Sequence, residues 1–123
     1  MSRILITGGG GYIGSMLSTE LIRIGHKVTV IDLMKYKKDS LNHLFFNKNF
    51  KLIEKDVRNK KAIKDLLKKN EFIIPLAALV GAPLCEKNKK EALSVNHISI
   101  KNLVLMCSNK NKIIFLTSNS GYG

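Results

Sequence analysis

Apolar residues in this chain come in short bursts that alternate with stretches of helical period. Arg3–Thr7 is nearly continuous apolar sequence and predicts a first strand. From Tyr12 to Ile24 the period changes to that of a helix, with Ile13, Met16, Leu17, Leu21 and Ile24 as the expected buried face and Gly25 as the terminator. Lys27–Asp32 predicts a second strand. A short helical segment is expected over Ser40–Phe46 with Ser40 as N-cap, and a third strand over Phe50–Glu54. Asn59 is placed to cap a helix over Lys60–Lys69 that buries Ile63, Leu66 and Leu67. Glu71–Leu76 is apolar on both faces, as a central parallel strand requires. Residues 78–88 predict a loop, Lys89–Cys107 a long helix, and Lys112–Thr117 a fifth strand. Strand and helix alternate throughout, with no internal repeat and no linker. Right-handed crossovers then give an α/β fold, a doubly wound parallel sheet of about five strands in the order 3-2-1-4-5, as one domain over residues 1–123.

Ligands of such sheets bind beyond the carboxyl ends of the strands. The most informative residues lie there. Thr7-Gly8-Gly9-Gly10-Gly11-Tyr12-Ile13-Gly14 joins the first strand to the first helix, and Asp32 follows 18 residues after Gly14. Strand, glycine turn, helix, strand and acid form the dinucleotide-binding unit of a Rossmann-like fold. Gly8 permits the tight turn, Gly11 lets the backbone approach a pyrophosphate, and Gly14 lets the helix pack close to its strand. The N–H groups that open the helix face the phosphates. Asp32, with Leu33 beside it, is placed to accept hydrogen bonds from a ribose diol. A carboxylate about 4 Å from a 2′-phosphate costs up to about 4 kcal/mol at an effective dielectric near 20. NAD is therefore favoured over NADP, although Lys35, Lys37 and Lys38 follow closely and soften the penalty.

Composition narrows the class. No apolar run reaches the roughly 20 residues of a membrane span, and the N-terminus has no signal-peptide plan. Cys85 and Cys107 have neither disulfide-framework nor metal-site spacing, and read as free thiols in a reducing cytoplasm; no metal site is expected. Lys plus Arg number 21 against 9 acids, a formal net charge of +12. The lysines are scattered along helix faces and turns without interleaved aromatics. That favours a general attraction to anionic ligands over specific nucleic-acid binding. His26, His43 and His97 read as structural or solvated.

Several segments together resemble the extended short-chain dehydrogenase/reductase family, the NAD-dependent epimerases and dehydratases that act on nucleotide sugars. Thr7-Gly8-x-x-Gly11-x-x-Gly14 is similar to that family's phosphate loop, and the resemblance runs from Ile4 to Gly123. It implies that Asp56 and Val57 contact adenine, that Leu76, Ala77 and Ala78 line the nicotinamide side, and that Asn96 lies near the cofactor. It also implies that Ser118, in Thr117-Ser118-Asn119-Ser120-Gly121-Tyr122-Gly123, is the active-site hydroxyl bonded to the substrate oxygen. Asn119 and Ser120 stand where sugar 4,6-dehydratases carry an Asp-Glu acid/base pair, which argues against 4,6-dehydration and for an epimerase or 4-dehydrogenase. Pro75 replaces a histidine common in the family.

The family's chemistry also needs a Tyr-x-x-x-Lys pair, and none occurs in residues 1–123: Tyr12 is followed by Met16, Tyr36 by Ser40, and Tyr122 by nothing at position 126. The chain therefore reads as the N-terminal, cofactor-binding portion of a longer enzyme, inactive alone, that would act on a nucleotide sugar as a homodimer when full length. A non-catalytic dinucleotide-binding module and a basic nucleic-acid binder remain as alternatives.

Overall fold

The computed structural model describes residues 1–35, 37–79 and 82–117. Five parallel strands form one sheet in the order β3-β2-β1-β4-β5. They are β1 (Arg3–Thr7), β2 (Lys27–Ile31), β3 (Phe50–Ile53), β4 (Phe72–Pro75) and β5 (Lys112–Ile113). Helices α1 (Tyr12–Arg23), α2 (Lys60–Lys69), α3 (Ala82–Lys87), α4 (Lys89–Leu93) and α5 (Ser99–Met106) complete the chain, with a 3-10 turn at Asn42–Leu44 and a π-helical turn at Ser94–Ile98. The sheet order and the Rossmann-like class are those expected from the alternation of patterns.

Period-two alternation divides the strands between two cores. Ile4, Ile6, Val28, Val30 and Ile74 face Ile22 of α1, with Leu17 and Leu21 packed alongside and Met34, Leu41 and Leu44 closing the layer. Leu5, Ile31 and Ile73 face the opposite way, against Ile63, Leu66 and Leu67 of α2 and Leu103 of α5. Each fully buried aliphatic side chain contributes about 1.5–3 kcal/mol, so both layers are needed to hold the sheet. Helix α2 behaves as its pattern predicts: Asn59 Oδ1 accepts from the Ala62 N–H at 3.1 Å, and Ile63, Leu66 and Leu67 are buried.

Four expectations change. The buried stripe of α1 is Gly14, Ser18 and Ile22, whereas Ile13, Met16 and Ile24 are exposed. The helix touches the glycine turn through its smallest residues, which rotates the large apolar ones outward; the buried Ser18 hydroxyl donates to Gly14 O at 2.7 Å. Ser40 does not cap the 3-10 turn, whose N-cap position is Leu41. Its hydroxyl instead donates to Gly10 O at 2.8 Å, tying that loop to the glycine turn. The expected loop over residues 78–88 contains α3, and the expected helix over Lys89–Cys107 is divided by the π-helical turn. On α5, Leu103 is buried against α2.

The fifth strand is shorter than its apolar run. Ile114 N donates to Ile73 O at 2.9 Å, and the next donor on that edge of β4 falls at Pro75, which has no N–H. The ladder ends there, and Ile114, Phe115 and Leu116 are each about half exposed. Such an apolar edge predicts self-association. Light scattering should report a mass above the 13.8 kDa of one chain; a stable monomer at high concentration would contradict it.

Candidate cofactor site

The carboxyl ends of β1, β2, β3 and β4 open into a cavity of about 610 Å³, within the range of small-molecule sites. Its floor is the turn from β1 to α1. Gly8 has φ +73°, and a Cβ there would lie 2.5 Å from Ala77 N, so a side chain is excluded by both conformation and space. A Cβ on Gly14 would lie 2.5 Å from Gly9 Cα, which is the close helix-to-turn approach expected of that position. Gly11 differs. Its backbone is extended (φ −76°, ψ −177°), and a Cβ would meet only Gly8 O at 3.5 Å. Nothing among the described residues requires glycine there.

Helix α1 begins without a side-chain cap and without an acidic residue in its first turn. The N–H groups of Tyr12, Ile13 and Gly14 find no acceptor among the described residues, and all three residues line the cavity. Orphan donors and the positive end of the helix dipole make this an anion seat.

Asp32 closes one side. Its Oδ2 accepts from the Gly10 N–H at 2.9 Å, and its Oδ1 from the Met34 N–H at 2.6 Å. Each carboxylate oxygen keeps a second lone pair for a ligand hydroxyl. Met34, at φ +55°, is the one non-glycine residue with positive φ among the described residues, and its side chain is buried. This conformation costs about 1–2 kcal/mol, offset by the bond to Asp32 and by burial of Met34. The turn places Leu33, Lys35 and Lys37 in the cavity wall.

Asp56, Val57 and Arg58 after β3, on the β2 side of the sheet, and Leu76, Ala77 and Ala78 after β4, on the other side of β1, also line the cavity. Arg58 Nε donates to Asp56 Oδ1 at 2.9 Å, and the Arg58 N–H donates to the same oxygen at 2.8 Å. The guanidinium hydrogen bonds hold the Asp56 carboxyl below its ordinary range, so it is ionised at neutral pH. Thr7 Oγ1 accepts from the Ala77 N–H at 3.3 Å, locking the end of β4 to β1.

Thus Gly8, Gly11, Tyr12, Ile13, Gly14, Asp32, Leu33, Asp56, Val57, Leu76, Ala77 and Ala78 surround one cavity. Asn96 stands behind its wall: in the π-helical turn, its Oδ1 accepts from Leu79 N and its Nδ2 donates to Leu79 O, both at 2.8 Å. Ser118 lies outside the described residues, as do Asn119, Ser120 and Tyr122. Residue-by-residue reading missed Gly10, Met34 and Glu91 as parts of the cavity. The Asp32-x-Met34 turn could have suggested Met34, since aspartate often bonds the backbone two residues on. No local signal points to Glu91, which arrives from α4.

Elsewhere, His26 Nδ1 accepts from Ser2 N at 3.0 Å, and His43 Nε2 lies 2.7 Å from the Thr19 hydroxyl. Burial raises the Cys107 thiol above its ordinary range. Among the described residues no group of three His, Cys, Asp or Glu is placed to hold a metal ion, and no helix is long and apolar enough to cross a membrane.

Comparison with known proteins agrees with this fold. The NAD dependent epimerase/dehydratase family matches residues 4–123. The chain is 32% identical over 122 residues to a UDP-N-acetyl-alpha-D-glucosaminuronate decarboxylase of Bacillus cytotoxicus, covering 98% of this chain and 38% of that protein. It is 33% identical over 119 residues to UDP-glucuronic acid decarboxylase 1 of Danio rerio, covering 96% of this chain and 27% of the relative. Among solved structures, the UDP-Glc/GlcNAc 4-epimerase of Campylobacter jejuni superposes with a TM-score of 0.88 at 29% identity, over 100% of this chain and 39% of that one. The Bordetella bronchiseptica enzyme WbmG, in complex with NAD, superposes with a TM-score of 0.84 at 25% identity, over 99% of this chain and 39% of that one. The chain thus spans well under half the length of these proteins. From the glycine turn through to the match over residues 4–123, it belongs to the NAD-dependent epimerase/dehydratase family.

Proposed function

We propose that this chain supplies the cofactor-binding part of an NAD-dependent nucleotide-sugar epimerase or 4-dehydrogenase of the cytoplasm, homodimeric at full length. The observation that carries the reading is the uncapped N-terminus of α1, whose free N–H groups open into the same cavity as the Asp32 carboxylate. The pyrophosphate takes the Tyr12, Ile13 and Gly14 N–H groups, and Asp32 accepts from the adenosine ribose diol. Asp56 and Val57 flank the adenine, and Leu76, Ala77 and Ala78 flank the nicotinamide. Bound there, the nicotinamide supplies hydride transfer at a sugar carbon. Asn96 holds the segment after β4 in register through Leu79, and Ser118 supplies the hydroxyl that bonds the sugar oxygen. A nucleotide-sugar decarboxylase is the second reading, favoured by the relatives at 32% and 33% identity.

Residues 1–123 carry no Tyr-x-x-x-Lys pair, so this chain alone binds cofactor without turning over nucleotide sugar. Calorimetric titration tests the cofactor choice. NAD is expected to bind at least about tenfold tighter than NADP, in line with repulsion between Asp32 and a 2′-phosphate. Asp32→Asn keeps one acceptor oxygen but removes the charge, and should lower that preference about tenfold. Tighter binding of NADP by the unaltered chain would overturn the assignment.

A further inference from the structure

Two cations and two anions, drawn from three separated parts of the chain, line one end of the cavity: Lys35 after β2, Asp56 and Arg58 after β3, and Glu91 on α4. Lys35 Nζ lies 3.4 Å from Glu91 Oε1, across 56 residues of sequence. Asp56 and Arg58 form the second pair. Lys35 also acts on Asp56 through space, as Glu91 does on Arg58, so the four charges alternate in sign around one rim. Met34 holds a left-handed conformation, fastened by its N–H to Asp32 Oδ1, and the residue that follows this strained turn is Lys35.

Lys35 and Lys37 both line the cavity wall beyond Asp32, and among the described residues Lys35 is the one paired with an acid. Arg58 is already engaged by Asp56. An uncommitted ammonium three residues beyond Asp32 would make the site tolerant of NADP, and Glu91 removes that freedom by pairing with it. We infer that Glu91 is a specificity-determining residue: by pairing with Lys35 at the cavity wall, it keeps that lysine from serving a 2′-phosphate and so strengthens the choice of NAD that Asp32 begins. This inference rests on the cofactor reading above.

The pair is partly exposed, with side-chain accessibilities of 55% for Lys35 and 35% for Glu91, so its effect is that of a surface ion pair. The readout is the ratio of the NADP to the NAD dissociation constant, measured calorimetrically on the full chain at low salt. Glu91→Gln should lower that ratio about threefold to fivefold, because Lys35 is released. Adding Lys35→Met to Glu91→Gln should return the ratio to or above that of the unaltered chain, because the released cation is gone. The Glu91→Gln effect should also shrink in about 1 M salt, where exposed charges are screened. A chain that binds NAD but whose ratio does not move with Glu91→Gln overturns this inference alone, as does a shift that persists in the double variant. A chain that binds neither dinucleotide overturns the cofactor reading, and this inference with it.

Discussion

Gly8→Ala should destabilise the domain by about 3 kcal/mol or more. The left-handed conformation at φ +73° costs a non-glycine residue about 1–2 kcal/mol. The added methyl would also lie 2.5–2.8 Å from backbone atoms of Ala77 and Leu76, and backbone cannot swing aside as a side-chain tip can. Relief requires parting the end of β4 from β1, where Leu76 N donates to Thr7 O at 2.8 Å and Ala77 N donates to the Thr7 hydroxyl. Set against a total stability of about 5–15 kcal/mol for an ordinary domain, this is a large fraction. Urea denaturation should show a midpoint far below that of the unaltered chain, with an unchanged slope. A midpoint within experimental error of the parent would mean that the turn is not packed as described.

Gly11→Ala should separate stability from binding. Alanine adopts the extended backbone of Gly11 freely, and its methyl meets only Gly8 O at an ordinary contact distance. Alanine is a poorer N-cap than glycine, but it also reduces the freedom of the unfolded chain, by about 0.4–1 kcal/mol; the two effects nearly cancel. Gly11 lines the cavity, and on the proposed reading its methyl would stand where the pyrophosphate approaches the N–H groups of α1. NAD affinity should therefore fall about 100-fold, or about 2.7 kcal/mol, while the denaturation midpoint stays close to the parent's. Equal losses in both measurements would make Gly11 a folding residue, and retained affinity would place the phosphates elsewhere.

The contrast between these glycines shows what sequence could and could not reveal. The places of Gly8, Gly14 and Asp32 were legible because each answers to a local demand: a turn, a helix contact, an acid at a strand end. The sheet order was legible for a related reason, since alternating patterns with right-handed crossovers leave few topologies. Helix α2 was read to the residue because its cap and its stripe are both local. The face of α1 was misread, since hydrophobicity favoured Ile13 and Met16 while the close approach at Gly14 selected small residues instead. The fifth strand was overextended because its apolar run carries no trace of the missing donor at Pro75. The π-helical turn that carries Asn96 and the meeting of Lys35 with Glu91 are products of tertiary packing. Neither leaves a pattern in any window of neighbouring residues.

Amide chemical-shift mapping of the isotope-labelled chain during titration with NAD tests the central claim most directly. Saturable shifts should appear at Gly8, Gly11, Tyr12, Ile13 and Gly14, at Asp32 and Leu33, at Asp56 and Val57, and at Ala77 and Ala78, all around the carboxyl end of the sheet. The opposite end offers a rival surface of strong positive charge, lined by Arg3, Lys68, Lys69, Lys110 and Lys112. Shifts confined to that end, or none at millimolar NAD, would contradict dinucleotide binding at the glycine turn and reduce the chain's attraction for nucleotides to its net charge.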